Sequence, residues 1–271
     1  MKYIILIIII FELSAFKIRA QDQTVSGTLD SLFSRLEKSR DNIVRSRIND
    51  SIVVIIDGYA LSDSVFEHNF TNLKYLGQIT ASDEKLKIIT WNLILTDRTN
   101  RYYCYIIHRG EKAKENTLFK LTGKNSPDPI LTNTEYTTNN WYGALYYDIR
   151  PVKIKKQLFY VLLGIDFGNN PNSRKIIDVL SLTDSGLVLG RKWFLNGEDT
   201  RQRVVFEYDA TGSMSLKFRS DKSIVFDHLV PISTGTKNEE TTYGAEFSLD
   251  SYNYKNGIWK FERNVDVRNK K

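Results

Sequence analysis

The chain has 271 residues, 41% of them hydrophobic and 12% aromatic, with 38 Lys and Arg against 32 Asp and Glu and a formal net charge of +6. The two signs are interleaved along the whole length, which argues against a concentrated nucleic-acid-binding face and for a solvated surface. A single cysteine, Cys104, excludes an internal disulfide, so stability has to come from a packed core, and a chain of this length can bury one.

Residues 1–20 read as an export signal. Lys2 gives a positive start, residues 3–11 form a short apolar run, and Ala20 offers a small residue for cleavage before Gln21. The run is shorter than the roughly 20 apolar residues a membrane helix needs and is followed by Glu12, Lys17 and Arg19, so no transmembrane span is expected after cleavage. No cysteine stands near the cleavage point to accept a lipid. The expected location is the periplasm or the extracellular space.

Residues 21–75 read as an N-terminal helical segment. Leu29, Leu32, Phe33, Leu36, Ile43, Val44 and Ile48 keep a helical spacing over 28–48, with Thr28 and Asp30 at its start. After Asn49-Asp50-Ser51, the residues Ile52, Ile55, Ile56 and Tyr59 continue that spacing. Their β-branched run would also suit a buried strand, but a second helix is the preferred reading. The two would form a helical hairpin covering a sheet. Asn49-Asp50-Ser51 and Asn69-Phe70-Thr71 also match the N-glycosylation pattern.

Residues 76–267 read as an antiparallel β domain, followed by a disordered basic tail at 268–271. Runs rich in Ile, Val, Tyr, Phe and Trp predict strands at 86–95, 101–109, 117–122, 142–151, 157–167, 174–182, 187–194, 203–209, 214–219, 223–230, 244–252 and 257–263. Short turn clusters separate them, Asn256-Gly257 being the strongest hairpin signal. Connections this short disfavour parallel pairing. The segment 110–140 is loop-like and divides the strands, and the blocks 142–194 and 203–263 each hold about four. The expected fold is therefore mainly β, an antiparallel meander forming a sandwich or open barrel, with propeller-like sheets as the alternative.

Candidate chemistry centres on Asp227 and His228, because an imidazole beside a carboxylate can serve as an oriented base. In a strand over 223–230, however, the two side chains point to opposite faces and cannot bond to each other. Pairing across a hairpin centred on Asn170 sets Asp166 opposite Arg174 and Asp178 opposite Leu162, so Asp166 has an ion-pair partner while Asp178 stays a weak catalytic candidate. Cys104 and His108 stand about 13 Å apart in a strand, which favours a buried structural cysteine. His68, His108 and His228 lack the paired spacing of a zinc site, so no metal is expected, and no phosphate or dinucleotide motif calls for a cofactor. Trp141, Tyr142, Tyr146 and Tyr147 would form a ligand-binding strip if exposed, although core packing explains such clustering more simply.

Several strings, namely 141–147 (WYGALYY), 175–180 (KIIDVL), 203–208 (RVVFEY), 224–229 (IVFDHL), 257–261 (GIWKF) and 86–95 with Trp91-Asn92, resemble a group of uncharacterised exported proteins of Bacteroidota. That resemblance covers about residues 70–265 and implies an envelope location without an established activity or site. The expected function is a non-enzymatic binding or structural protein whose partner is an envelope protein or a glycan. The alternative is a secreted hydrolase acting on a glycan or ester through an Asp/His site.

Overall fold

The computed structural model describes residues 24–112, 115–124, 128–168, 172–232 and 242–265. The expected signal peptide and basic tail lie outside the described residues. The chain opens with helix α1 (24–38) and helix α2 (Asn42–Ala60). The hairpin is as expected, but its turn is not at Asn49-Asp50-Ser51. Ser39 and Arg40 break the helix, and Asp41 starts the second one by accepting a 2.8 Å bond from the Val44 N–H. Asn49 is instead mid-helix and buried, accepting a 3.0 Å bond from Trp91 Nε1. A glycan cannot be attached to it in the folded chain.

Fifteen strands follow among the described residues. The first four are β1 (Gly77–Thr80), β2 (Leu86–Ile94), β3 (Asn100–His108) and β4 (Thr117–Lys124). Next come β5 (Leu145–Ile154), β6 (Gln157–Asp166), β7 (Asn172–Thr183) and β8 (Gly186–Leu189). The rest are β9 (Phe194–Asn196), β10 (Asp199–Arg201), β11 (Val204–Asp209), β12 (Leu216–Ser220), β13 (Ser223–Ile232), β14 (Thr242–Lys255) and β15 (Ile258–Glu262).

They form a stacked sandwich with no closed barrel. One sheet runs β1-β2-β3-β4, a second β11-β7-β6-β5 with β8 on the end of β7, and a third β10-β9-β15-β14-β13-β12. The side-chain period of two puts opposite faces of each strand into different layers. Ile89, Trp91 and Leu93 of β2 meet Leu29, Phe33, Ile52 and Ile56 of the helices. Leu86 and Ile88 of the same strand, with Tyr102 and Cys104 of β3, meet Tyr160, Leu162, Ile176 and Leu180 of the second sheet. The second sheet turns Val161, Leu163, Ile177 and Val179 toward Ile224, Phe226, Tyr252 and Trp259 of the third. Two of the three sheets are thus covered on both faces, which explains why β2 and β6 read as nearly continuous apolar runs.

Some details depart from the sequence reading. The predicted strand 187–194 is two strands, because the chain leaves the second sheet at Gly190 (φ 110°) and enters the third at Phe194. There β9 pairs in parallel with β15 through Trp259 and Phe194, the one parallel pair among the described strands. The 203–263 block also divides, since β11 returns to pair with β7. This exchange of strands between sheets is incompatible with separate propeller blades. The Asn256-Gly257 hairpin is present, with Lys255 opposite Ile258 and both central residues at positive φ.

Lys87 is an exception in the β2 run, only 1% exposed. Its ammonium donates to the Tyr59 hydroxyl (2.5 Å) and to the carbonyls of Val65 (2.5 Å) and His68 (2.6 Å), tying the segment after α2 to the sheet. Burial lowers its pKa from 10.5 to about 8. Below about pH 8 the amine is charged whether folded or unfolded, and the burial cost is borne in full. Between about 8 and 10.5 the unfolded chain holds a proton that the folded chain has released, so stability rises with pH across that window. The expected result is a urea midpoint that moves in the native protein's favour, relative to Lys87→Met, as pH is raised from about 7.5 to about 10.

Candidate functional site

Most of the residues that invite a chemical reading are engaged inside the protein. Asp178 and Arg203 form an ion pair of 3.0 Å with both side chains fully buried between the first and second sheets. Asp178 also accepts from the Tyr142 hydroxyl (2.8 Å) and the Val179 N–H (2.7 Å). Arg203 donates to the carbonyls of Leu131 (2.6 Å), Thr134 (2.6 Å) and Leu189 (3.0 Å) and lies 4.5 Å from the Tyr136 ring centre. Burial pushes the Asp178 carboxyl above the usual carboxylate range, and Arg203, Tyr142 and the Val179 N–H pull it back only in part.

The aromatic group joins this network. Tyr142 and Tyr146 share a 3.0 Å hydroxyl contact, and Trp141 Nε1 donates to the Tyr146 hydroxyl at 3.1 Å. Gly143, at φ 90°, lets this stretch cross the Tyr102 ring, where an added Cβ would stand 2.6 Å from a ring carbon. Trp141 and Tyr146 are buried and Tyr142 is half-buried, so no exposed strip forms. Of the four, Tyr147 is the most exposed, at 37%, with its hydroxyl donating to the Leu216 carbonyl (2.9 Å).

The cross-strand pairs follow the expected register, Asp166 opposite Arg174 and Asp178 opposite Leu162. Asp166 accepts from Arg174 (3.3 Å) and from the Tyr102 hydroxyl (2.8 Å), while Arg174 also reaches Glu207 (2.8 Å). Asp227 and His228 take separate partners. Asp227 accepts from the Ser215 N–H (2.7 Å), and His228 Nδ1 lies 2.7 Å from Asp250 Oδ2. A bulge at His228 interrupts the pairing of β13 with β14. Asp250 was not singled out from the sequence, because 22 residues separate it from His228 and only the β13–β14 register brings them together. Cys104 is fully buried, which raises its thiol pKa well above the ordinary value and removes it from nucleophilic use.

A hollow of about 310 Å³ borders Tyr142, Asp166 and Arg174, and a larger one lies where the helical hairpin meets the far end of β2. A groove of about 520 Å³ opens there, with an apolar floor of Phe33, Leu36 and Leu95 flanked by Tyr75 and Ile94. Arg40, Arg45 and Arg98 surround it, with Glu37 as the acidic member. Tyr75 is 36% and Ile94 46% exposed, so apolar surface faces solvent between guanidinium groups. Arg45 Nε donates to the Ile94 carbonyl and its Nη1 to the Ser39 carbonyl, both at 2.7 Å. Asn42 Oδ1 accepts from the Thr96 N–H at 2.9 Å, which pins the helical turn to the β2–β3 turn. Burial, and after it the charge of Arg40, lowers the pKa of Arg45. A third hollow of about 610 Å³, bordered by Ser181, Thr183, Arg191 and Lys192, is wider and polar and has no comparable floor.

None of the groove residues stood out in the sequence. Arg98 carried the one available signal, since it occupies the last position of the turn Thr96-Asp97-Arg98, where glycine or asparagine is usual. Comparison with family models, curated proteins and solved structures found no match.

Proposed function

We propose that this is a non-enzymatic binding protein of the periplasm or cell surface, exported by residues 1–20, that holds its ligand in the groove between the helical hairpin and β2. The observation that carries this reading is the apolar floor, flanked by the exposed Tyr75 and Ile94 and ringed by Arg40, Arg45 and Arg98, a combination suited to a ligand with apolar and anionic parts. Engagement of Asp178 with Arg203 and of Asp227 with a backbone N–H favours binding over hydrolysis, and His228, paired with Asp250, lines none of the hollows described above. The resemblance to exported Bacteroidota proteins agrees with the envelope location.

The test is a fluorescence titration with 1-anilinonaphthalene-8-sulfonate, an anionic apolar dye. Saturable binding to the folded protein is expected, and Ile94→Glu, which places a carboxylate among the arginines, is expected to abolish it. Binding that is absent, or indifferent to Ile94→Glu in a protein with a native melting transition, would remove the groove from the reading.

A further inference from the structure

The groove runs along an open sheet edge. β1 pairs with β2 only from Lys87 to Thr90, whereas β2 continues to Ile94. The direction of the main-chain groups beyond Thr90 follows from the ladder. The Leu86 carbonyl accepts from Ala81 on the β1 side, while the Lys85 carbonyl and the Leu95 N–H engage Arg109 and Thr99 on the β3 side. Alternation along an antiparallel strand therefore turns Asn92 and Ile94 toward the β1 side. Among the described residues no strand takes up that edge past Thr90. The Ile94 carbonyl accepts from Arg45, and Asn92 and Ile94 both line the groove.

Arg98 supplies an independent observation. The Leu95 N–H donates to the Thr99 carbonyl (2.8 Å) and the Arg98 N–H to the Leu95 carbonyl (2.9 Å), which defines a three-residue hairpin loop whose last member adopts a left-handed conformation. Arg98 holds φ at 66°, a region that favours glycine. A long cation in that position is strained, and its side chain lines the groove.

We propose that the edge of β2 from Asn92 to Ile94 accepts an extended acidic peptide as an added strand, prolonging the line of β1, with apolar side chains on Phe33 and Leu36 and carboxylates at Arg40 and Arg98. This rests on the groove being the binding site and specifies its ligand class. Main-chain hydrogen bonds to the edge supply affinity, alternate side chains supply selectivity, and guanidinium–carboxylate pairing fixes the sign of the charge. The paired stretch is short, about 10 Å for three residues, so the arginines carry a large share of the recognition. A carboxylate also offsets the repulsion between Arg40 and Arg45.

The experiment is fluorescence anisotropy of the full chain with labelled five-residue peptides. One alternates Glu with Val or Leu, one has Lys in place of Glu, and one is the acidic peptide with alternate amides N-methylated. The acidic peptide is expected to bind, with the Lys version and the edge-facing N-methyl version at least about tenfold weaker. Arg98→Gly is expected to weaken the acidic peptide about tenfold or more while leaving the melting temperature unchanged or higher, because glycine relieves the left-handed strain. If the dye still binds saturably but the acidic peptide does not, or if N-methylation and charge reversal have no effect, the strand-addition proposal is overturned and the groove reading stands. Saturable binding of dodecanoate without peptide binding would reassign the groove to an anionic amphiphile. Loss of dye and peptide binding together would overturn both.

Discussion

Arg203→Met is expected to lower stability by about 3–5 kcal/mol, because it leaves the Asp178 carboxylate buried without its counter-charge. The Leu131, Thr134 and Leu189 carbonyls lose their donor in the same step. Against a total of about 5–15 kcal/mol for a folded domain, such a loss brings the protein close to unfolding. Asp178→Leu strands the charge on Arg203 instead and should cost a similar amount. Asp178→Leu combined with Arg203→Met should recover a substantial part of either loss, since removing a buried pair together avoids an uncompensated charge. Urea midpoints of the two single variants and the double variant measure this, and strictly additive losses would contradict the coupling. The effect should be structural, because Asp178 and Arg203 are fully buried and neither lines the groove.

Trp91→Ala is expected to cost about 3–5 kcal/mol from the cavity alone. Trp91 is fully buried between the first sheet and the helical hairpin and stacks on Tyr103 with ring centres 4.9 Å apart and planes 7° from parallel. Its Nε1 is the donor to Asn49 of α2, so truncation also leaves a buried amide oxygen unsatisfied, worth a further 1–3 kcal/mol or so. Trp91→Phe should fall well below Trp91→Ala, since it retains most of the packing and loses the hydrogen bond. Because α1 forms one wall of the groove, the alanine variant should also show protease cleavage within 24–60 and loss of dye binding under conditions where the other two sheets remain folded. Equal loss of protection across all three sheets would show that the hairpin does not release separately.

The fold was legible wherever one physical signal dominated. Strands such as 86–94 and 223–232 announced themselves by β-branched and aromatic content, and Asn256-Gly257 by the positive φ its turn requires. Signals that compete were less legible. Asn49-Asp50-Ser51 has turn composition, but the Trp91 indole gives Asn49 a buried partner and the helix continues through it. The strand Gly77–Thr80 is too short and too polar to register, and it exists because β2 offers it an edge. The Phe194–Asn196 and Asp199–Arg201 hairpin carried an Asn196-Gly197 signal, but each strand has only three residues.

The candidate site was less legible than the fold because it is made by convergence. Phe33, Arg45, Tyr75 and Arg98 come from four separate segments, and nothing local to any one of them refers to the others. The same holds for His228 with Asp250 and for Asp178 with Arg203, whose partners are set by strand register and sheet stacking.

The sequence by itself determined a mainly antiparallel β protein with a helical hairpin, a core without disulfides, and the register that places Asp166 against Arg174, because periodicity, turn chemistry and cross-strand pairing act over short distances. Only the tertiary structure decided that the sheets stack in three layers, that the Trp141 to Tyr146 aromatics face inward, and that an arginine-rimmed groove lies beside an open edge of β2. Those outcomes depend on which faces bury each other, a choice made between segments distant in the chain.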